Sequence, residues 1–469
     1  MSWFEVDRSG LRELWGGKDK CFLLYELVAN SLDEPGVTYC RVSIKPVEGK
    51  RQVTITVEDD APEGFIDLSH AYTLFAPTRK RGDAETRGRF NIGEKHVLCL
   101  AEYATISSTQ GTIVFGPKGR TWTGTKRHKG SLIAITVKLT KRELEGLREA
   151  AQLILPPRGV RLVIDGTEIA HRDPLAVIST TLATELIGDD GMMRPTKRMT
   201  TIHVHQVGPG EEAMVFEMGI PVMPTGDRWH IDVLQKIPLS IERDNVRPSW
   251  LRDVRAEVLN YMASDLERDH VSETWVRDGM SDDRISRDAV ETIVRKRWGE
   301  NRVVIAPGDT YSREKAIENN FTIVSSREMS SAEWKQIKRN GAIPTGKDLW
   351  PRDFTTMRER GRDTWTSGMI RVASLTMEVA KIAGLKVRVM MIDAPKASIR
   401  ADYKEGVIRY NVGVLGEAWF EGSLEAQLSL IVHELGHAYG GHYDKTAYDG
   451  LAAIGAKLAL ADAARFEKE

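Results

Sequence analysis

The sequence predicts an α+β protein of several domains, and three features lead there. The chain has 469 residues, enough for two to four domains, and 41% hydrophobic content is enough for ordinary cores. Short β-like runs alternate with stretches whose apolar residues recur at helical spacing. The stretch N-G-A-I-P-T-G-K-D-L-W-P, Asn340 to Pro351, has the Gly and Pro content of a domain linker. The expected division is 1–145, 146–250, 251–345 and 346–469.

Composition narrows the function. Lys and Arg number 66 against 67 Asp and Glu, so no global basic field recommends nucleic acid as the partner. Cys21, Cys40 and Cys99 form no C-x-x-C pair and argue for a reducing compartment. The start lacks a basic-then-apolar signal pattern, and no apolar run reaches the roughly 18 residues of a membrane span. A cytoplasmic protein is expected.

In the first domain, Y-E-L-V-A-N-S-L-D-E (Tyr25 to Glu34) places Glu26, Asn30 and Asp33 at i, i+4 and i+7, one face of a helix. Leu23, Leu24, Leu27 and Val28 lie on the other face. Glu26 can take a proton from water, Asn30 can offer a carbonyl oxygen to Mg2+, and Asp33 can support that shell. The strand-like Val53 to Val57 runs into E-D-D-A-P-E-G-F, where Asp59 or Asp60 can accept from an adenine amino group and Gly64 lies in the turn. Then G-R-F-N-I-G-E-K, Gly88 to Lys95, precedes a helical run. Small residues there let backbone approach a phosphate, and Lys95 brings charge. Between the two lies L-F-A-P-T-R-K-R-G-D-A-E-T-R, either a solvated loop or a lid in which Lys80 and Arg81 neutralise phosphate charge.

The order of these pieces resembles the GHKL ATPase superfamily of gyrase B, the large heat-shock chaperone, the mismatch-repair ATPases and the histidine kinases. Its motifs are E-x-x-x-N-x-x-D, D-x-G-x-G, G-x-x-G-x-G and a Gly-Thr on a strand. The resemblance implies a Bergerat α/β sandwich binding ATP and Mg2+. Glu26 is then the base, Asn30 the magnesium ligand, Asp60 or Asp59 the adenine reader, and Gly88, Gly93 and Lys95 the end of the phosphate lid. Gly130-Ser131 in K-G-S-L-I-A-I-T-V stands for the fourth motif. Two departures bear on loop conformation: Pro62 replaces the first glycine of the second motif and Asn91 the middle glycine of the third.

From about 150 to 250, V-R-L-V-I, T-T-I-H-V-H-Q and E-A-M-V-F-E-M-G read as strands, with a helical stretch near Pro174 to Ile187. His203 and His205 share a strand face, and with no third ligand nearby in sequence they are read as structural. Gln235-Lys236 resembles the loop by which the transducer domain of gyrase-like ATPases reaches the γ-phosphate. Helices are expected from Trp250 to about Leu266 and from Ile285 to Trp298, followed by a strand, helix, strand unit from 302 to about 330.

The last domain carries a second signal. In Q-L-S-L-I-V-H-E-L-G-H-A-Y-G-G-H, His433 and His437 sit at i, i+4 on one helix face, where two imidazoles can reach one Zn2+, and Glu434 can activate a metal-bound water. Leu428, Ile431, Val432 and Leu435 would seat the helix. The segment resembles zincin metallopeptidases and implies a zincin-like α+β domain, with His442 as third ligand and Asp444 in reserve. Val407 to Val412 is either a substrate-pairing edge or a strand inside its own sheet.

The expected whole is a GHKL ATPase whose ATP-dependent homodimerisation gates a zinc peptidase acting on a protein or peptide substrate. The alternative is an ATP-driven clamp on DNA or protein with a structural or degenerate zinc site, as gyrase-like relatives act. A phage protein of the rapid-lysis type is similar in combining a GHKL domain with further regions.

Overall fold

Alternation of buried and half-buried residues sets the first sheet. The computed structural model describes residues 7–76, 78–89, 91–188, 192–240, 245–350, 357–395, 397, 399–440 and 445–466. It divides into two compact units, Met1–Ile293 and Val294–Glu469. The first opens with helix α1 (Arg8–Gly16), N-capped by the Asp7 carboxylate, and α2 (Cys21–Leu32). Strands β1 (Tyr39–Pro46) and β2 (Gln52–Asp59) follow, then α3 (Gly93–Leu100) and β3 (Tyr103–Ser108) to β6 (Leu132–Lys138), with β4 (Gly111–Gly116) and β5 (Gly119–Thr123) between. Helix α4 (Lys141–Gln152), closed by a capping box of Thr140 and Glu143, leads to β7 (Arg161–Ile164) and β8 (Thr167–Glu168).

These eight strands form one sheet in the order β5-β4-β3-β6-β2-β1-β7-β8, antiparallel except where β1 pairs β7. Val53, Ile55 and Val57 of β2 turn inward and meet Leu23, Leu24, Leu27 and Val28 of α2 in a single core. Burial of each such side chain is worth about 1.5–3 kcal/mol, so the apolar face of α2 fixes which way its polar face looks.

The second sheet of this unit has the order β12-β11-β13-β10-β9. It comprises β9 (Ala176–Ile187), β10 (Met193–Gln206), β11 (Met214–Glu217), β12 (Ile220–Pro224) and β13 (Trp229–Val233). The stretch near Pro174 to Ile187, expected as a helix, is β9, paired antiparallel with β10 from Ala176 to Ile187. Val177, Ile178, Thr180, Thr181 and Thr184 are β-branched, and Ile178, Leu182 and Thr184 point inward at strand spacing. Helix α5 (Pro248–Met262) lies against β9, and α6 (Thr274–Met280) packs on α5. Helix α7 (Arg287–Trp298) contains the boundary between the units.

The second unit begins with a parallel pair, β14 (Arg302–Val303) and β15 (Thr322–Ile323), joined through α8 (Thr310–Glu318) as the strand, helix, strand reading expects. Helices α9 (Ser331–Asn340) and α10 (Gly346–Leu349) follow. The expected linker is packed as far as Trp350: Val304 bridges Thr345, and the Trp350 ring lies edge-on to Phe321 at 5.2 Å. Pro351 lies outside the described residues.

The last sheet has the order β16-β17-β19-β18, from β16 (Arg358–Glu359), β17 (Arg388–Asp393), β18 (Ala401–Lys404) and β19 (Val407–Asn411). Of the two readings of Val407 to Val412, the edge fails: β19 is flanked by β17 and β18, and β18 is the edge. Helix α11 (Ser367–Ala383), the short α12 (Val412–Leu415) and α13 (Glu417–Phe420), α14 (Leu424–Gly436) and α15 (Lys445–Phe466) complete the unit. Both units are α+β, and no helix among the described residues is long and apolar enough to cross a membrane.

Candidate functional site

With its apolar face buried, α2 presents Glu26 and Asn30 to a cavity of about 910 Å³, the size of a small-molecule site. The cavity is also lined by Lys80, Gly88, Asn91 and Gly93. Gly93 opens α3 directly against Glu26, and a methyl group there would overlap the Glu26 carboxylate. Asn91 has φ of 55°, the left-handed conformation that glycine adopts most easily and Asn tolerates best among other residues. Its side-chain amide donates to the carbonyls of His70 (3.2 Å) and Thr73 (3.1 Å), so the departure from glycine keeps the turn and adds an anchor. Lys80 pairs with Glu34 at 2.8 Å on the cavity wall.

Asp33 caps the C-terminus of α2 and faces the loop rather than the cavity. It accepts from the backbone N–H groups of Arg87 (2.8 Å) and Gly88 (3.2 Å) and pairs with the Arg87 guanidinium at 2.5 Å. Asp59 and Asp60 do not line the cavity. Asp59 turns inward and accepts from the N–H groups of Ala61 and Ser131, each at 3.1 Å. Asp60 faces outward, held by Thr38 and Tyr39 N–H groups (both 2.8 Å), which keep its carboxyl down at about 2. Gly64 and Ser131 also lie outside the cavity: Ser131 Oγ accepts from Phe65 N at 2.7 Å, and Gly64 packs on Gly130 too closely for a side chain.

Two expected phosphate cations point elsewhere. Lys95 is buried and donates to the His70 carbonyl, because its place on α3 turns it away from α2. Lys236 is wholly buried and donates to the carbonyls of Lys80 and Asp83 (2.5 Å for the latter), while burial lowers its ammonium to about 8. It therefore grips the segment around Arg81 from the second sheet and does not line the cavity.

Arg87 and Arg89 line the cavity and were missed in the sequence, where charged residues in a loop look solvated. Arg87 also donates to the Glu217 (3.3 Å) and Met218 carbonyls, and Arg89 forms a two-pronged pair with Glu217. Glu217 Oε1 accepts from Ile237 N at 2.9 Å. All three side chains are at least nine-tenths buried, so the loop after the lid is tied to β11. Glu217→Ala leaves a buried guanidinium without its carboxylate and is expected to cost about 3–5 kcal/mol, read from chemical denaturation; a loss below about 1 kcal/mol would contradict this.

In the second unit, Ile431 and Leu435 are fully buried and seat α14 in the core, with Leu428 and Val432 packed beside them. The His433 and His437 rings stand edge to face at 5.2 Å between centroids, so the i, i+4 spacing brings the two imidazoles together. Glu434 is buried next to them; desolvation, then Asp402, raises it to about 7. His442 and Asp444, the expected third ligand and its reserve, lie outside the described residues.

The first unit thus has the class of a helix-backed sheet with a ligand-sized cavity between one helix and a glycine-bearing loop. No family model matches the chain, and no curated relative matches it. Among solved structures, the ATPase region of Saccharomyces cerevisiae topoisomerase II bound to ICRF-187 (dexrazoxane) is similar with a TM-score of 0.29 and 14% identity. The match covers 43% of this chain and 62% of that one, so the chain spans less than two thirds of that structure.

Proposed function

We propose that the protein is a Mg2+-dependent ATPase of the GHKL type. The observation that carries this is the joint presence of Glu26, Asn30 and the Gly88 to Gly93 loop on one ligand-sized cavity. In this reading Glu26 takes the proton from the attacking water, the Asn30 amide oxygen ligates Mg2+, and Asp33 holds the loop. Lys80 and the backbone N–H groups at the start of α3 neutralise the phosphates. Neither Asp59 nor Asp60 lines the cavity, so the adenine reader is assigned to neither. Asn30→Ala is expected to abolish MgATP turnover; wild-type turnover in that variant, measured by phosphate release, would sink the proposal.

A second activity is favoured by the paired His433 and His437 rings beside buried Glu434. Zinc held by these imidazoles and His442 would supply Lewis acidity for peptide hydrolysis, with Glu434 taking the water proton. ATP binding, by pairing two chains and closing the segment that Lys236 grips, would control access to that site. Peptide cleavage equal with and without ATP would contradict the gating, and ATP-dependent retention on DNA without cleavage would favour the clamp.

A further inference from the structure

His203 and His205 have a partner that sequence spacing hides. His203 of β10 is the register partner of Asp232 of β13, and His205, two residues on, projects from the same face. One nitrogen or oxygen of each of the three side chains falls in a group in which all lie within 4.8 Å of one another, and among the described residues this is the one such group of three or more His, Cys, Asp or Glu. Around a tetrahedral zinc such atoms stand about 3.3 Å apart, so small side-chain rotations close the shell.

Two further observations point to a ligand. His205 Nδ1 is buried without a hydrogen-bond partner. Asp232 lies 5% exposed, accepts from Gly219 N at 2.8 Å, and has no cation paired with it by salt bridge among the described residues. A buried carboxylate with one backbone donor and no salt bridge among the described residues, beside an orphan imidazole nitrogen on the same face, is costly, and a shared cation lowers both costs. The neighbouring His230 is already committed: Nε2 meets Glu211 at 2.9 Å, and Nδ1 accepts from Met214 N at 3.2 Å. Of the nearby cations, Arg87 acts on Asp232 but forms its ion pair with Asp33, Arg172 is neutralised by Glu211, and Arg158 pairs with Asp173.

We infer that His203, His205 and Asp232 hold a divalent transition-metal ion of the zinc class, independent of both the ATP cavity and the His433 helix. Two imidazoles and one carboxylate select zinc or cobalt over magnesium or calcium. His203 is half-buried, which leaves solvent a path to the remaining coordination position. The ion clamps β10 to β13 four residues before Lys236, and so steadies the strand that carries the grip on the lid segment.

The test uses the full chain with His433→Ala and His437→Ala, so that the C-terminal helix contributes no imidazole. After loading with Zn2+ or Co2+ and desalting, about one ion per chain is expected by elemental analysis, with visible Co2+ absorption of a tetrahedral N/O site. Adding His203→Ala or the near-isosteric Asp232→Asn should remove both signals, while circular dichroism reports that the fold is kept. Chelation should lower the melting temperature of the parent and leave the His203→Ala protein unmoved. Less than about 0.1 ion per chain in the parent, or full metal retention in the foldable variant of the two, overturns the assignment.

Discussion

Glu26→Gln is expected to lower the rate of ATP hydrolysis by about 10²–10⁴-fold while nucleotide affinity stays within about threefold of the parent. The amide keeps the size and most of the hydrogen bonding of the carboxylate but cannot accept the water proton. Gly93 packs directly against Glu26, so the substitution leaves the start of α3 in place. A single-turnover assay with saturating MgATP separates the two effects. If kcat falls less than about fivefold, Glu26 is a wall of the cavity and the base lies elsewhere.

The second large effect is expected at Glu434. Glu434→Gln should reduce zinc-dependent peptide cleavage by at least about 10²-fold with zinc content unchanged, since the proposed role is proton transfer and not ligation. His433→Ala should instead lose metal and cleavage together. Cleavage of a peptide library that is equal in parent and Glu434→Gln would leave the His433 helix as a binding or structural element. The buried position of Glu434 beside Tyr410 and Asp402 makes it sensitive to packing, so the melting temperature of the variant belongs with the measurement.

Local chemistry was legible wherever one element carried it. The apolar quartet of α2 dictated which side is buried and therefore that Glu26 and Asn30 face outward together. The i, i+4 spacing of His433 and His437 likewise fixed their rings on one face. What sequence could not reveal was pairing between distant segments. β9 looked helical because Leu175, Ile178 and Leu182 also fit a helical period, and only the long hairpin with β10 selects the strand. Arg87 and Arg89 were passed over because Glu217, their partner, is 130 and 128 residues away. Asp232, 29 residues from His203, is invisible as its neighbour until β10 and β13 are in register. Lys95 and Lys236 were given phosphates because their charge was visible in the sequence and their direction was not. Asn91 ran the other way: the departure from glycine raised a doubt that its left-handed backbone removes.

The most direct test of the nucleotide cavity is a calorimetric titration of the full chain with a non-hydrolysable ATP analogue and Mg2+, beside Gly93→Ala. The added methyl would overlap the Glu26 carboxylate at the cavity wall. Binding at about one site per chain in the parent, weakened at least about tenfold in Gly93→Ala, is the expected result. No binding by the parent would contradict an ATP site between α2 and the Gly88 to Gly93 loop.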